Sequence, residues 1–171
     1  IYSFIKGFIQ PKYDNASLPV FTYESKMTIS QGNEEIELYN FGKAHTDGDS
    51  AVVFKNNNII HTGDAFVRYG YPYVDLNNGG SIKGLINFLG TLELLCNDNT
   101  IIIPGHGGLS KKEDVTNLKN TLDDLYTKTI IGLKNGLSYR EISDSIDETL
   151  NGDTIVKLNY IKSIELELSR N

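Results

Sequence analysis

Apolar and polar positions change period along this chain, and the changes mark out its elements. The opening "IYSFIKGFIQ" sets Ile1, Phe4, Ile5, Phe8 and Ile9 at helical spacing, and Pro11 bars continuation. The pattern predicts a short packed helix; a single Lys in the stretch argues against an interfacial membrane anchor. "PVFTYESKMTIS" and "EEIELYNF" are β-prone runs around "QGN", a predicted hairpin. "SAVVFK" and "NIIHT" form a second pair around "NNN". "VRYGYPYVDLNNGG" is rich in Gly, Pro and Asn and reads as a loop, and loops of this length in compact domains are usually functional.

From Ser81 the period becomes helical. Ile82, Leu85, Ile86, Leu89 and Leu92 share one face, and "NDN" closes the element. "TIIIPG" is a short apolar strand of the kind buried on both faces. "SKKE" at 110–113 predicts a capping box for a helix carrying Val115, Leu118, Leu122 and Leu125, stopped near Gly136. "SYRE" at 138–141 repeats the signal before Ile142 and Ile146, and a last helix is expected from Thr154 to Leu168. Strands come first and then alternate with helices, so the expected class is α/β (α+β), with no internal repeat or linker in residues 1–171.

Composition narrows the picture modestly. The 171 residues suit one domain, and 39% hydrophobic with 22% charged residues is ordinary for a soluble globular chain. A net charge of −6 argues against a nucleic-acid partner, because phosphate binding needs surplus Lys and Arg on one face. No apolar run reaches the roughly 18–20 residues that cross a bilayer. Cys96 is the single cysteine, so no disulfide forms within the chain and the compartment, cytoplasmic or periplasmic, stays open.

The candidate chemistry lies in three histidines and one aspartate. His45 in "GKAHTDGDS" follows the strand ending near Phe41, Asp64 follows "NIIHT", and His106 follows "TIIIP". Each sits past a strand end beside glycines, Gly48, Gly63, Gly105 and Gly107, that permit tight turns. Imidazole and carboxylate are donors that a cation such as zinc accepts. Taken singly, each histidine also fits an ordinary turn residue.

"AHTDGDS", "HTGDAF" and "PGHG", in that order and spacing, resemble the last three metal-binding motifs of the metallo-β-lactamase superfamily. "YPYVDLNNGGSIKGLINFLGTL" resembles a group of β-lactamase-like hydrolases within it, and the likeness runs from about Leu18 to Gly136. By that resemblance His45 holds a first metal, Asp64 bridges two and orients the nucleophile, and His106 holds the second; His61 matches no ligand position and reads as structural. The resemblance implies a two-layer αββα sandwich with two zinc ions between similar halves. It implies hydrolysis of an ester, thioester or amide/lactam bond in a small-molecule substrate. One-iron members that oxidise thiols or hydrolyse thioesters remain an alternative.

The family's His-x-His-x-Asp-His run is missing, since no histidine precedes His45. The chain is therefore expected to be the second half of such a sandwich, a fragment or the product of an incomplete reading frame. That half is one mixed sheet with helices on one face and a single partial domain over 1–171. Three ligands are too few for a binuclear centre, so zinc binding by this chain is expected to be weak or absent, and efficient catalysis absent. The loop with Tyr71, Tyr73 and Asp75 either borders the substrate cleft or is a surface loop tied down by two buried tyrosines. A different class of function is also open: a non-catalytic structural unit that self-associates, most simply as a homodimer, through its uncovered sheet.

Overall fold

The computed structural model describes residues 18–146 and 154–170, residue 16, and the short strands β1 (Phe4–Ile5) and β2 (Phe8–Ile9). These two strands pair antiparallel, Phe4 with Ile9 and Ile5 with Phe8. The opening segment is thus a β-ribbon at these positions and not the helix its spacing suggests. Positions i, i+1, i+4 and i+5 fit one helix face and a tight hairpin equally well, so periodicity cannot separate them.

Five strands build the main sheet in chain order: β3 (Lys26–Gln31), β4 (Glu34–Tyr39), β5 (Ala51–Phe54), β6 (Ile59–His61) and β7 (Ile101–Ile103). β3 to β6 are an antiparallel meander, and β7 adds parallel to β6. The β3–β4 turn uses Gly32 at φ 61, a left-handed conformation that glycine adopts without strain. The parallel pair requires a crossover, and helix α1 (Ile82–Leu95) provides it. Helices α2 (Lys112–Lys134), α3 (Tyr139–Asp144) and α4 (Thr154–Ser169) follow.

The helical stripes bury as their spacing requires. Ile82, Leu85, Ile86, Leu89 and Leu92 of α1 are buried, as are Val115, Leu118, Leu122 and Leu125 of α2. They pack with Ile60 and Ile102 of the sheet in one core, each such side chain contributing roughly 1.5–3 kcal/mol. α3 opens with the predicted box, Ser138 N–H donating to the Glu141 carboxylate at 2.8 Å and Glu141 N–H to Ser138 Oγ at 3.3 Å. The α2 start differs by one residue. Lys111 is the cap, its backbone N–H donating to Asp114 at 3.0 Å, because Ser110 is occupied in a two-way backbone pairing with Ile102. α2 ends at a left-handed Gly136 (φ 72), with Leu137 N–H donating to Gly132 O.

Among the described residues, the helices cover one face of the sheet. On the other face the register lines up Ile29, Ile36, Phe54, Ile59 and Ile101 in one row across all five strands. Met27, Leu38, Val52, His61 and Ile103 form a second row. None of these ten side chains is buried. Strand pleating sends alternate residues to opposite faces, so this face is apolar by the same alternation that fills the core.

Candidate metal centre

Asp64 lies on a one-turn 3-10 helix (Gly63–Ala65) just past β6. Thr62 N–H donates to Ile103 O at 3.1 Å and carries the β6–β7 pairing up to that turn. Gly63 takes φ 54 to reverse the chain. Gly105 then comes in close from β7: its N–H donates to Gly63 O at 2.9 Å, and a Cβ placed on it would meet Asp64 Oδ1 at 2.1 Å. Any side chain at 105 would displace the carboxylate.

His106 follows directly. Its carbonyl accepts from Arg68 N–H at 3.0 Å, and it bridges in parallel with Val67, so two strand ends hold its backbone. Arg68 in turn ion-pairs with Asp114 of α2. His45 is fixed from another direction. Its carbonyl accepts from Asp75 N–H at 2.8 Å, and Gly80 packs so tightly that a Cβ there would sit 2.4 Å from His45 O. Gly84 is equally confined, its Cβ position lying 2.1 Å from Lys43 O. The glycines of "NNGG" and α1 thus seat the His45 loop, a role that only non-local packing reveals.

The side chains meet around one carboxylate. His45 Nε2 lies 3.8 Å from Asp64 Oδ2, and His106 Nε2 lies 3.4 Å from Asp64 Oδ1. Each imidazole therefore takes a different oxygen of the same aspartate. His45 Nδ1 stands 2.7 Å from the Tyr73 carbonyl. A carbonyl only accepts, so Nδ1 carries a proton and Nε2 is the nitrogen that faces the Asp64 oxygen. A cation or a proton between that nitrogen and the carboxylate would join them. Orienting a ligand histidine through its other nitrogen is also what metal sites do.

The two donor separations differ in how well they fit ligands of one ion. Two ligand bonds of about 2.0–2.1 Å at a tetrahedral angle place their donors about 3.3–3.4 Å apart. The His106–Asp64 pair matches this, and the His45–Asp64 pair is slightly wider. Each side offers two donors only. Accordingly, no group of three or more His, Cys, Asp or Glu side chains among the described residues encloses a single ion position.

The other expected residues are distributed differently. His61 is exposed on the bare sheet face and its Nδ1 accepts from Gly63 N–H at 3.2 Å, away from the Asp64 carboxylate. Asp75 turns inward on its own loop, accepting from the Asn78 side chain at 2.7 Å and from the Asn77 and Asn78 backbone. Chiefly the Asn78 amide, then these backbone groups and the nearby His45, hold its carboxyl below the ordinary range. Tyr71 is buried but Tyr73 is 62% exposed, so one tyrosine of that pair, not two, ties the loop down. The Tyr73 ring stands edge-on to His45 at 5.8 Å, and Tyr69 stands against His106 at the same centroid distance of 5.8 Å. Tyr69 had no signal of its own in the sequence beyond its place in the loop.

This architecture is a half of the metallo-β-lactamase type of fold, a mixed sheet with helices. A double mutant of the sec-alkyl sulfatase PisA1 superposes with a TM-score of 0.64 at 12% identity, over 87% of this chain and 27% of that one. The stereoselective inverting sec-alkylsulfatase Pisa1 from Pseudomonas sp. gives 0.63 at 11% identity, over 86% of this chain and 26% of that one. A metallo-β-lactamase from Pontibacter korlensis gives 0.54 at 17% identity, over 64% of this chain and 52% of that one. The chain thus spans between about a quarter and a half of the structures it resembles. No family model matches it, and no curated protein matches it by sequence.

Proposed function

We propose that this chain is the second half of a metal-dependent hydrolase, supplying part of its ligand set, and that the intact protein cleaves an ester, thioester or amide/lactam bond in a small molecule. One observation carries the reading: His45 and His106 present Nε2 to opposite oxygens of Asp64, at 3.8 and 3.4 Å. Two zinc ions are the preferred occupants, with iron the alternative. His45 and Asp64 would hold one ion, and His106 and Asp64 the other. Such ions supply a nucleophile at neutral pH by lowering the pKa of water to about 7. The protein's own contribution is positional. The Tyr73 carbonyl holds the His45 tautomer, the Gly105–Gly63 contact aims the Asp64 carboxylate, and Arg68 with Val67 holds the His106 backbone. The remaining ligands come from a complementary first half, in the same polypeptide or in trans.

The test joins the chain to a half carrying a His-x-His-x-Asp-His run and assays ester, thioester and lactam hydrolysis with zinc. Activity is expected only in the joined form, with Asp64→Ala losing at least ~10²-fold and His45→Ala and His106→Ala each losing metal. Turnover by the 171-residue chain alone at enzyme-like rates of roughly 1–10³ per second would refute the half-site.

A second reading is favoured by the bare sheet face: a structural unit that self-associates through the two apolar rows from Ile29 to Ile101 and Met27 to Ile103. Sedimentation of a concentrated sample decides it. Ile101→Lys should weaken association, and a clean monomer of the wild type removes the reading.

A further inference from the structure

Beside the candidate centre is a cavity of about 260 Å³ between the loop 69–74 and helix α4. Its inner wall is buried: Ile82 is fully inaccessible, Tyr71 is 6% exposed and Tyr160 7%. The two tyrosine rings lie 5.1 Å apart at 49°, presenting a corner of aromatic surface. Tyr160 donates its hydroxyl to the Pro72 carbonyl, so its polar tip is already satisfied. Burial, with Tyr69 and Tyr71 nearby, pushes that hydroxyl far above its ordinary pKa, and it stays a neutral donor. The lining contains no Asp, Glu, Lys, Arg or His; its polar members are tyrosines and, one helical turn apart, Asn159 and Ser163.

Two of the lining residues stand beside the histidines. Tyr69 and Tyr73, both exposed, have ring centroids 5.8 Å from those of His106 and His45. These two rings flank the imidazoles that pair with the Asp64 carboxylate, which puts the cavity and the candidate centre on adjoining residues. Size limits what the cavity takes. A dry cavity of roughly 150 Å³ already accepts benzene, so 260 Å³ takes a ring with a small substituent. Chemistry limits it further, because an ionised group against the buried inner wall would meet no counter-charge among the lining residues.

We infer that this cavity is the substrate-side subsite and that it takes an uncharged aromatic or similarly compact apolar group attached to the bond being cleaved. Its ring-binding rests on the cavity alone, while its link to catalysis rests on the proposed metal centre. Asn159 and Ser163 supply hydrogen bonds to one neutral substituent on the ring. Charged groups are directed elsewhere, to the open side of the centre.

Methyl NMR of the 171-residue chain separates the two parts. In metal-free protein, p-cresol is expected to shift the methyl resonances of Ile82, Val74 and Val156 saturably. Benzoate, of similar size but charged, should bind about tenfold more weakly or worse. Val156→Trp, a substitution on the exposed side of α4, should fill the mouth and abolish the p-cresol response. Dispersed methyl signals elsewhere would report that this variant is folded. In the form joined to the complementary half, zinc should still move the His45 and His106 imidazole resonances of this variant. With zinc present, phenylacetohydroxamate, a ring tethered to a metal-binding head, should shift both the methyl and the imidazole sets. No saturable methyl shift with p-cresol overturns the subsite, as does equal binding of benzoate. Methyl shifts with p-cresol but no response of the imidazoles to zinc in the joined form overturn the metal centre and leave the cavity's ring-binding standing. If p-cresol and zinc each act but the hydroxamate never moves both sets together, the cavity does not serve that centre.

Discussion

Ile101 and Ile102 are neighbours on β7 and meet different worlds. Ile102 is fully buried among the helices, whereas Ile101 is 43% exposed at the end of an apolar row that crosses the sheet. The same residue type, in the same strand, is part of the core on one side and bare on the other. A finished α+β domain polarises a solvated sheet face, giving a hydrophobic-in, polar-out alternation. Here both faces are largely apolar from β5 to β7, and that part of the sheet reads as one layer of a sandwich rather than as the outside of a molecule.

The largest effect should come from emptying the covered face. Ile102→Ala leaves a cavity among α1, α2 and the sheet and should cost about 2–5 kcal/mol in urea unfolding. Ile101→Ala should cost less than about 1 kcal/mol, since much of the side chain already meets water. Equal losses at the two positions would mean that the bare face is covered in solution, and would then direct attention to self-association.

A smaller effect should separate the glycines of the site. Gly80→Ala drives a methyl into His45 O and Asp75 O, at 2.4 and 2.8 Å, both of them backbone atoms that cannot swing away. Overpacking of this kind costs about 1–3 kcal/mol, and the His45 imidazole resonance should move from its wild-type position. Gly48→Ala, with nothing within 4 Å of its Cβ position and no left-handed backbone, should change stability by no more than about 0.5 kcal/mol. Parallel thermal melts and imidazole spectra check both. An innocuous Gly80→Ala would contradict the seating of the His45 loop.

Much of this arrangement was legible in the sequence, and the limits have physical causes. The α1 and α2 stripes were readable because burial on one face imposes a 3.6-residue period, and Leu85, Leu89, Leu118 and Leu122 obey it. The grouping of His45, Asp64 and His106 was readable because all three follow strand ends in one sheet. What Gly80 and Gly84 do was not, because their neighbours are backbone atoms far away along the chain or on another loop. The cavity escaped for a similar reason: the apolar pattern of α4 does not say that Val156 and Tyr160 face the loop 69–74. The "SKKE" box failed by one residue because Ser110 was claimed by β7, a tertiary contact overriding a local signal.

Glu37 is another departure from the alternation, and it bounds the covered face. It lies on the same side of the sheet as Val53 and Ile60, yet toward β3 that face turns polar and the exposed Lys26, Thr28 and Ser30 replace aliphatics. Glu37 is 5% exposed, accepting from Lys26 Nζ at 2.6 Å and Tyr39 Oη at 2.6 Å, with Lys55 Nζ at 3.4 Å. The Lys26 ammonium first, then the Tyr39 hydroxyl and Lys55, pull its carboxyl from 4.5 down to about 2 against the opposing effect of burial. A carboxyl depressed in the folded state stabilises the fold above its unfolded pKa, where it is ionised in both states. That contribution is lost as pH falls through the window from about 4.5 to about 2, because the unfolded chain takes up the proton first. Glu37→Gln removes the titration. Urea unfolding across that window should therefore show the wild type losing its advantage over the variant as pH falls. The two profiles should converge near the lower end. Profiles that stay parallel would mean that Lys26 and Lys55 do not hold the Glu37 carboxylate in solution, and that the covered face ends at β5 rather than at β4.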